Sequence, residues 1–160
     1  MIKPITKSNL IDCLNILKIS YEEGAVKFGQ TEENCPYRGR TRLPLNELEK
    51  EFLEGCMMYG YYSNDELAGF LSLTFLKDDA MGINDIAILP KYQSKGFGSA
   101  LMQFAKEEAK RHNCKKIRLG MIDDNLKLKT WYEKHGFTTV KLVKYDKVTY
   151  TVGKMECILI

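Results

Sequence analysis

The spacing of apolar residues divides the first 53 residues into a short strand, two helices and a polar segment. Residues 2–6 read as the strand. Apolar side chains then recur every three or four positions and predict a helix over about 8–21, capped by Thr6 or Ser8. Pro44, a residue suited to the first position of a helix, opens a second helix. The polar segment 22–42 is too long for a simple connection, so we expect a binding loop or a partly helical segment.

The rest of the chain favours strands, interrupted by two helices. Strands are predicted over 57–62, 66–76, 81–89, 116–121, 137–144 and 148–159. Helices are predicted over about 97–112, and from Asp124 or Asn125 to Gly136. Because strands precede, alternate with and follow helices, we expect a mixed sheet flanked by helices, α/β (α+β) in class, whose last two strands are antiparallel. A length of 160 residues suits a single domain over 1–160.

Composition excludes several classes of function. Twenty-four Lys plus Arg against 21 Asp plus Glu leave a net charge of +3, too slight for a nucleic-acid-binding face. No apolar run approaches the ~18 residues of a membrane span, and the N-terminus does not resemble a signal peptide. The five cysteines are widely spaced without a C-x-x-C pair, and there are two histidines. We therefore expect reduced thiols, no metal, no nucleic-acid or membrane partner, and a cytoplasmic location.

The most informative segment lies where the third predicted strand of the 57–89 region gives way to a long helix. Residues 90–99 contain Gly96 and Gly98 at the start of that helix, together with Lys91 and Lys95 and no acidic residue. The first turn of a helix offers unpaired N–H groups and a partial positive charge, which together bind phosphate. Glycine there lets the backbone approach a ligand closely. The segment predicts a pyrophosphate site.

Two common nucleotide motifs do not fit this spacing. A Walker P-loop requires Gly-Lys followed by Ser or Thr, whereas Gly98 is followed by Ser99 and Ala100. A dinucleotide fingerprint requires Gly or Ala at the position occupied by Leu101. A nucleotide-binding module is therefore disfavoured.

The segment Gln93-Ser94-Lys95-Gly96-Phe97-Gly98 resembles the Gln/Arg-x-x-Gly-x-Gly/Ala signature of the GNAT superfamily of N-acetyltransferases. A second match follows downstream, where Asn125 precedes Tyr132 by seven residues and Gly136-Phe137 closes the predicted helix. The order of predicted elements agrees with that superfamily over nearly the whole chain.

The resemblance implies a site for acetyl-CoA as co-substrate. In such proteins the strand before the signature splays from its neighbour, its main chain pairs with pantetheine, and the loop holds the pyrophosphate. The expected cofactor-binding residues are Ile86, Ala87, Ile88, Gln93, Ser94, Lys95, Gly96, Phe97, Gly98, Ser99 and Asn125.

Two residues are candidates for catalysis on the same resemblance. Tyr132 would donate a hydrogen bond to the departing sulfur; full proton transfer is uphill by about 2 kcal/mol, because a phenol has a pKa of about 10 and a thiol about 8.5. Asp85 lies on the opposite face of its strand from Ile86 and Ile88. It is a direct or water-mediated base, a structural acid, or a residue that only orients water. Some relatives place an acid on the next strand, where this chain has Gly120.

The resulting expectation is a direct ternary-complex transfer of an acetyl group to a primary amine, with a small-molecule acceptor favoured over a peptide or protein. In such proteins the region after the first helix flanks the amine pocket. There Arg38, Arg40 and Arg42 either attract an acidic group of the acceptor or belong to a solvated charged loop. An acyl-CoA-binding sensor without turnover is the main alternative. Exposed terminal strands make a homodimer a reasonable expectation.

Overall fold

A computed structural model describes all 160 residues of the chain. The strands are β1 Ile2–Pro4, β2 Met57–Ser63, β3 Glu66–Phe75, β4 Ala80–Ile88, β5 Lys116–Ile122, β6 Thr138–Val143 and β7 Val152–Ile158. The helices are α1 Leu10–Lys27, α2 Leu45–Leu53, α3 Phe97–Arg111 and α4 Leu126–Lys134. None of these helices combines the length and the hydropathy that a membrane span requires.

The seven strands form one sheet in the order β1-β2-β3-β4-β5-β7-β6. All neighbours are antiparallel except β4 and β5, which run parallel. The expected mixed, largely antiparallel sheet flanked by helices is confirmed. The last two strands are antiparallel as predicted, and β7 lies between β5 and β6 so that β6 forms the edge.

Helix α1 extends six residues beyond its predicted end, from Tyr21 to Lys27. Gly24 suggests a break in the sequence, but it lies inside the helix among good helix formers, with no atom within 4 Å of where its Cβ would be. The helix stops before Gly29, whose φ is +67°. The polar segment is therefore partly helical, and residues 28–43 form turns that include one 3₁₀ turn.

Two apolar cores lie on the two faces of the sheet. Leu10, Leu17 and Leu48 belong to the core beneath α1 and α2. Leu101 and Phe137 belong to the core that lies beneath α3 and α4. Full burial of one such side chain contributes roughly 1.5–3 kcal/mol, so the two cores hold the helices in fixed positions on the sheet.

The sheet opens between β4 and β5. Their ladder contains only Ala80–Gly82 against Lys116–Arg118, whereas β5 pairs with β7 along its whole length. A bulge at Asn84 in β4 precedes the opening, because Ser72 pairs with Asp85 and the next residue of β3 pairs with Ile83. Bulges bend a strand and increase its twist. Residues 83–88 consequently have no β5 partner, and the predicted splay is confirmed.

Candidate active site

The loop before α3 carries six consecutive backbone N–H groups, of residues 94–99, that find no acceptor in the protein. The first helical bond in this region is donated by Ala100 N to Gly96 O at 3.0 Å. Ser94 and Gly96 have positive φ angles of 62° and 85°, which bend the loop into the helix. Unpaired donors at a helix N-terminus favour an anion. The signature therefore forms a cluster of unpaired donors suited to an anion.

Helix α4 covers one side of this loop. A Cβ on Gly98 would lie 3.3 Å from the ring of Trp131, so the ring would have to shift by a few tenths of an ångström to admit a larger residue. Ser99 Oγ lies 3.2 Å from His135 Nε2. Burial and the Lys106 charge lower the pKa of His135, which favours neutral imidazole over the imidazolium that its position at a helix C-terminus suggests. The neutral ring packs against Trp131 at 4.5 Å between centroids.

The two lysines of the loop differ in their surroundings. Lys91 Nζ lies 2.8 Å from Glu66 Oε1, on β3. Its hydrogen bond to Glu66 raises the pKa of Lys91, and its charge is locally balanced. Lys95 forms no ion pair and lies 5.7 Å from the centroid of the Tyr92 ring. Lys95 is therefore the lysine that adds unbalanced positive charge to the loop. The Glu66 carboxylate that balances Lys91 comes from β3, which is distant in sequence, so the loop sequence alone does not show this difference.

The unpaired edge of β4 leads into the same loop. Ile88 O accepts hydrogen bonds from Ser20 Oγ and from Gln93 Nε2, both at 3.1 Å. Tyr21 Oη lies 3.4 Å from Ile86 O. Gln93 of the signature thus fixes the loop to the end of β4, and helix α1 supplies two hydroxyl groups to the strand.

Tyr132 is buried in α4 with its ring edge-on to Phe137, at 5.7 Å between centroids. Its hydroxyl forms no hydrogen bond within the protein. Burial, followed by the charge of Asp85, raises the pKa of Tyr132, so the phenol stays protonated at neutral pH. The helix begins at Asn125, whose Oδ1 accepts from Leu128 N at 3.2 Å. Asn125 is therefore the N-cap, and its side-chain amide nitrogen has no protein partner.

Asp85 is fully buried and held by a guanidinium. Arg40 Nε and Nη2 donate to its two oxygens at 2.8 and 2.7 Å, and Arg40 also donates to Glu51 at 2.9 and 3.0 Å. The Tyr21 hydroxyl lies 3.4 Å from Asp85 Oδ1. Burial raises the pKa of the Asp85 carboxyl, and the Arg40 charge opposes that rise. Burial acts to lower the pKa of Arg40, but hydrogen bonds and the charges of Glu51 and Asp85 hold it above its ordinary value.

Arg40 belongs to a left-handed turn. Four consecutive residues, Tyr37 to Arg40, have φ angles between 50° and 72°. Outside glycine this conformation costs about 1–2 kcal/mol per residue, and it persists only where other contacts impose it. Arg38 supplies further contacts, since Nη1 donates to Glu22 at 2.6 Å and Nε donates to Gln30 O at 3.2 Å. Arg38 and Arg40 are therefore bound inside the protein, and neither belongs to a solvated loop.

Gly39→Ala is expected to destabilise the fold by about 2–3 kcal/mol, because two effects combine. Gly39 has a φ of +62°, and a Cβ would lie 2.2 Å from Gln30 Oε1. Gln30 would have to move and would lose its 3.2 Å hydrogen bond to the Tyr150 hydroxyl. Urea unfolding measures the loss. The matched control is Gly29→Ala, with a φ of +67° and no atom within 4 Å, for which we expect about 1 kcal/mol. Equal losses would show that the Gln30 contact is unimportant.

Sequence reasoning missed three residues that surround Asp85, namely Tyr21, Arg40 as its partner, and Glu51. Tyr21 occupies an apolar position of the predicted helix, so its sequence position predicts packing in the core and gives no sign of its hydroxyl contacts with Asp85 and Ile86 O. The glycine at position 39 was the one local signal of an unusual turn. No cluster of three or more His, Cys, Asp or Glu residues that could hold a metal ion is present.

Comparison of the sequence with known proteins identifies relatives of this chain. Residues 25–137 match the acetyltransferase (GNAT) family. YvbK of Bacillus subtilis, an uncharacterized N-acetyltransferase, is 32% identical over 103 residues, which cover 64% of this chain and 66% of that protein. The match thus spans slightly less than two thirds of the relative's length. YdhI of the same organism, an uncharacterized protein, is 27% identical over 115 residues, covering 59% of this chain and 72% of YdhI.

Solved structures share the fold over almost the whole chain. The ribosomal-protein-S18-alanine N-acetyltransferase of Escherichia coli has a TM-score of 0.79 at 16% identity, covering 99% of this chain and 93% of that one. The PaiA N-acetyltransferase of Thermoplasma acidophilum, solved in complex with coenzyme A, has a TM-score of 0.77 at 18% identity, covering 99% and 98%. At these identities the likeness establishes the fold alone.

Proposed function

Because the chain belongs to the GNAT acetyltransferase family, we propose that it transfers an acetyl group from acetyl-CoA to the primary amine of a small molecule, in a direct ternary complex. The observation that carries the proposal is the donor cluster of residues 94–99 beside the unpaired edge of β4. The donor cluster suits a diphosphate, and the unpaired edge of β4 suits an extended ligand that carries amide groups. The buried phenol of Tyr132 completes the site.

The residues present fit coenzyme A, which supplies the activated acyl group and a thiolate leaving group. We propose that the N–H groups of residues 94–99 bind the pyrophosphate, with Lys95 adding charge. The main chain of Ile86–Ile88 would pair with pantetheine. Side chains already donate to Ile86 O and Ile88 O, so the N–H groups of these residues are the more available partners. The free amide nitrogen of Asn125 would bind the pantetheine arm.

Transfer requires a neutral amine, stabilisation of the negative charge that develops on the thioester oxygen, and stabilisation of the thiolate as it leaves. A lysine-like amine has a pKa near 10.4, so neutralising it at pH 7 costs roughly 4.6 kcal/mol. We propose that a strand N–H near Ile88 would donate to the thioester oxygen as negative charge develops there. The protonated Tyr132 hydroxyl would donate to the sulfur. Positioning both substrates together removes much of the remaining barrier.

We assign Asp85 a positioning role rather than proton transfer. Both of its oxygens are engaged by Arg40, and its side chain is completely buried. It holds Tyr21 and the left-handed turn against β4. The proton of the amine would then leave through water, a route that general-base catalysis permits when no side chain makes direct contact.

Tyr132→Phe is expected to lower kcat by about 10- to 100-fold, because the departing sulfur loses a hydrogen-bond donor. The KM for acetyl-CoA should change by no more than about twofold, since the ring still fills the core beside Phe137. Thiol release monitored across a panel of amines measures both parameters. Trp131→Phe serves as a control, because it alters the adjacent packing without removing a hydroxyl. An unchanged kcat in the tyrosine variant would remove Tyr132 from the mechanism.

A sensor that binds acyl-CoA without turnover is the second candidate, and the engagement of Asp85 by Arg40 favours it. Calorimetry with acetyl-CoA combined with the amine panel separates the two functions. Binding together with amine-dependent thiol release supports the transferase, whereas binding without release from any amine supports the sensor. Absence of binding to the folded protein would exclude both. The homodimer and the cytoplasmic location stay predictions.

A further inference from the structure

A cleft of about 440 Å³ lies between α1 and the segment that follows the left-handed turn. Its lining residues are Lys18, Glu22, Arg38, Thr41, Arg42 and Leu43. Three of these side chains are cationic and one is a carboxylate. The cleft therefore has an excess of two positive charges, in a chain whose net charge is +3.

The one carboxylate of the cleft is already neutralised. Both oxygens of Glu22 accept from Arg38 Nη1, at 2.8 and 2.6 Å, and this hydrogen bond lowers the pKa of Glu22. Lys18 has no carboxylate within ion-pair distance. The charges of Arg42 and Lys18 also act on Glu22, but from beyond ion-pair distance. Arg42 forms one ion pair, with Glu32 at 3.6 Å, and both of these side chains are 58% exposed. Such an exposed pair contributes little, so Lys18 and Arg42 can bind another anion.

Arg38 adds directional donors to the same cleft. Its Nε and Nη1 are used within the protein, and Nη1 also donates to Thr41 Oγ1 at 3.2 Å. Its Nη2 forms no hydrogen bond with the protein, although the side chain is only 13% exposed. A guanidinium held in place with unused N–H groups suits carboxylate or phosphate oxygens, because little side-chain entropy is lost on binding.

The cleft adjoins the proposed reaction centre through two elements. Tyr21, which contacts Ile86 O on β4, is followed in α1 by Glu22 of the cleft. Arg40, which contacts Asp85, is two residues from Arg38. Successive residues of a helix point about 100° apart, and a helix is about 10 Å wide. A group in the cleft and an amine at the β4 edge would therefore lie on neighbouring faces of α1, at a separation on the order of one helix diameter, roughly 10 Å.

We propose that this cleft binds a carboxylate or phosphate group of the acceptor, and so selects anionic amines. The inference rests on the proposed acetyl transfer and specifies its acceptor class. Lys18, Arg42 and the Nη2 of Arg38 bind the anion, while the amine several bonds away reaches the open edge of β4. An amine of equal length without the anionic group lacks this anchor.

The test compares matched pairs of acceptors in the thiol-release assay. One pair is 6-aminohexanoate and hexylamine; the other is 5-aminopentyl phosphate and 5-aminopentanol. The unmodified protein is expected to prefer the anionic member of at least one pair by about tenfold or more in kcat/KM. Which pair shows the preference distinguishes a carboxylate from a phosphate. The preference should fall at about 0.5 M salt, because the cationic groups are partly exposed.

The double variant Lys18→Ala/Arg42→Ala is expected to lose about tenfold in kcat/KM for the anionic amine and less than about twofold for its neutral partner. The control Lys50→Ala/Lys110→Ala removes the same charge from exposed positions outside the cleft and should leave both values unchanged. Equal kcat/KM values within both pairs for the unmodified protein would overturn the proposal while leaving acetyl transfer intact. An identical loss of kcat/KM for the anionic amine in the two double variants would also overturn the proposal.

A binding measurement keeps the proposal testable if none of these four amines is acetylated. Calorimetry at saturating coenzyme A should detect 6-acetamidohexanoate or 5-acetamidopentyl phosphate, and binding should weaken about tenfold in Lys18→Ala/Arg42→Ala. Failure of both compounds to bind would refute the anionic subsite. Failure of coenzyme A itself to bind would instead refute the proposed function.

Discussion

Arg40→Ala is expected to lower the free energy of unfolding by about 3 kcal/mol, a large fraction of the stability of a domain of this size. The variant leaves Asp85, whose side chain has no exposed surface, without its bidentate partner. An uncompensated buried charge is far more costly than a broken surface ion pair. At this chain length the loss corresponds to a decrease in Tm of roughly 6–12 °C. Denaturant unfolding, with Tm as a second readout, measures the effect.

Two control variants isolate the cause. Arg42→Ala removes a guanidinium from the same segment, but its partner Glu32 lies 3.6 Å away and both side chains are exposed, so we expect a loss of less than about 0.5 kcal/mol. The double variant Arg40→Met/Asp85→Asn removes both buried charges and should recover most of the loss. Glu51 is partly exposed and can be solvated in that variant. Equal destabilisation by Arg40→Ala and Arg42→Ala would contradict the assignment.

The deficit of Arg40→Ala should also depend on pH. Without Arg40, burial and the charge of Glu51 act against only the Tyr21 hydrogen bond, and they move the pKa of Asp85 further above the value of about 3.9 in the unfolded chain. Between those two pKa values the folded state binds more protons than the unfolded state. The stability of the variant therefore falls as the pH rises through that window, and its deficit should be smaller near pH 5 than near pH 8. A deficit that is independent of pH would indicate lost packing rather than a buried charge.

The parts of the site that the sequence predicted depend on local chain geometry. The donor cluster needs only a strand, a short glycine-containing loop and a helix start, and all three are encoded within residues 86–99. Helix α4 is similarly local, because Asn125 caps its start and Gly136, with a φ of +92°, closes its end. Main-chain sites of this kind tolerate variation of side chains, and a short motif is enough to locate them.

The parts that escaped prediction depend on contacts between distant residues. Arg40 and Asp85 are 45 positions apart, and their pairing was not predicted: Arg40, expected to contact the acceptor or to lie in a solvated loop, instead engages both oxygens of the buried Asp85 carboxylate. Tyr37, Arg38 and Arg40 adopt left-handed conformations that their residue types disfavour. The ion pairs of Arg38 and Arg40, together with hydrogen bonds such as Arg38 Nε to Gln30 O and Arg42 N to Tyr37 O, hold the turn in this conformation. No local propensity encodes such a turn, and Gly39 alone marks its position.

Ser99→Pro is expected to weaken coenzyme A binding by about 10- to 150-fold, the equivalent of one charge-assisted hydrogen bond of about 1.5–3 kcal/mol. Ser99 is the third residue of α3, and its N–H has no acceptor in the protein. Proline is tolerated in the first turn, where it removes no helical hydrogen bond. The preceding Gly98 lacks the Cβ that proline would otherwise crowd. The substitution thus deletes one donor of the cluster and leaves the helix in place, which circular dichroism verifies.

Two comparisons test this assignment: the control variant Ser99→Ala, and acetyl-pantetheine as a shorter acetyl donor in place of acetyl-CoA. Ser99→Ala keeps the N–H and loses only the 3.2 Å contact of the hydroxyl with His135, so its affinity for coenzyme A should stay within about threefold of the unmodified protein. Acetyl-pantetheine lacks the pyrophosphate, so Ser99→Pro should use it with nearly the kcat/KM of the unmodified protein. If the proline variant lost acetyl-pantetheine and acetyl-CoA activity equally, the N–H at Ser99 would not contact the pyrophosphate. If it bound coenzyme A as tightly as Ser99→Ala, the donor cluster would not be the anion site.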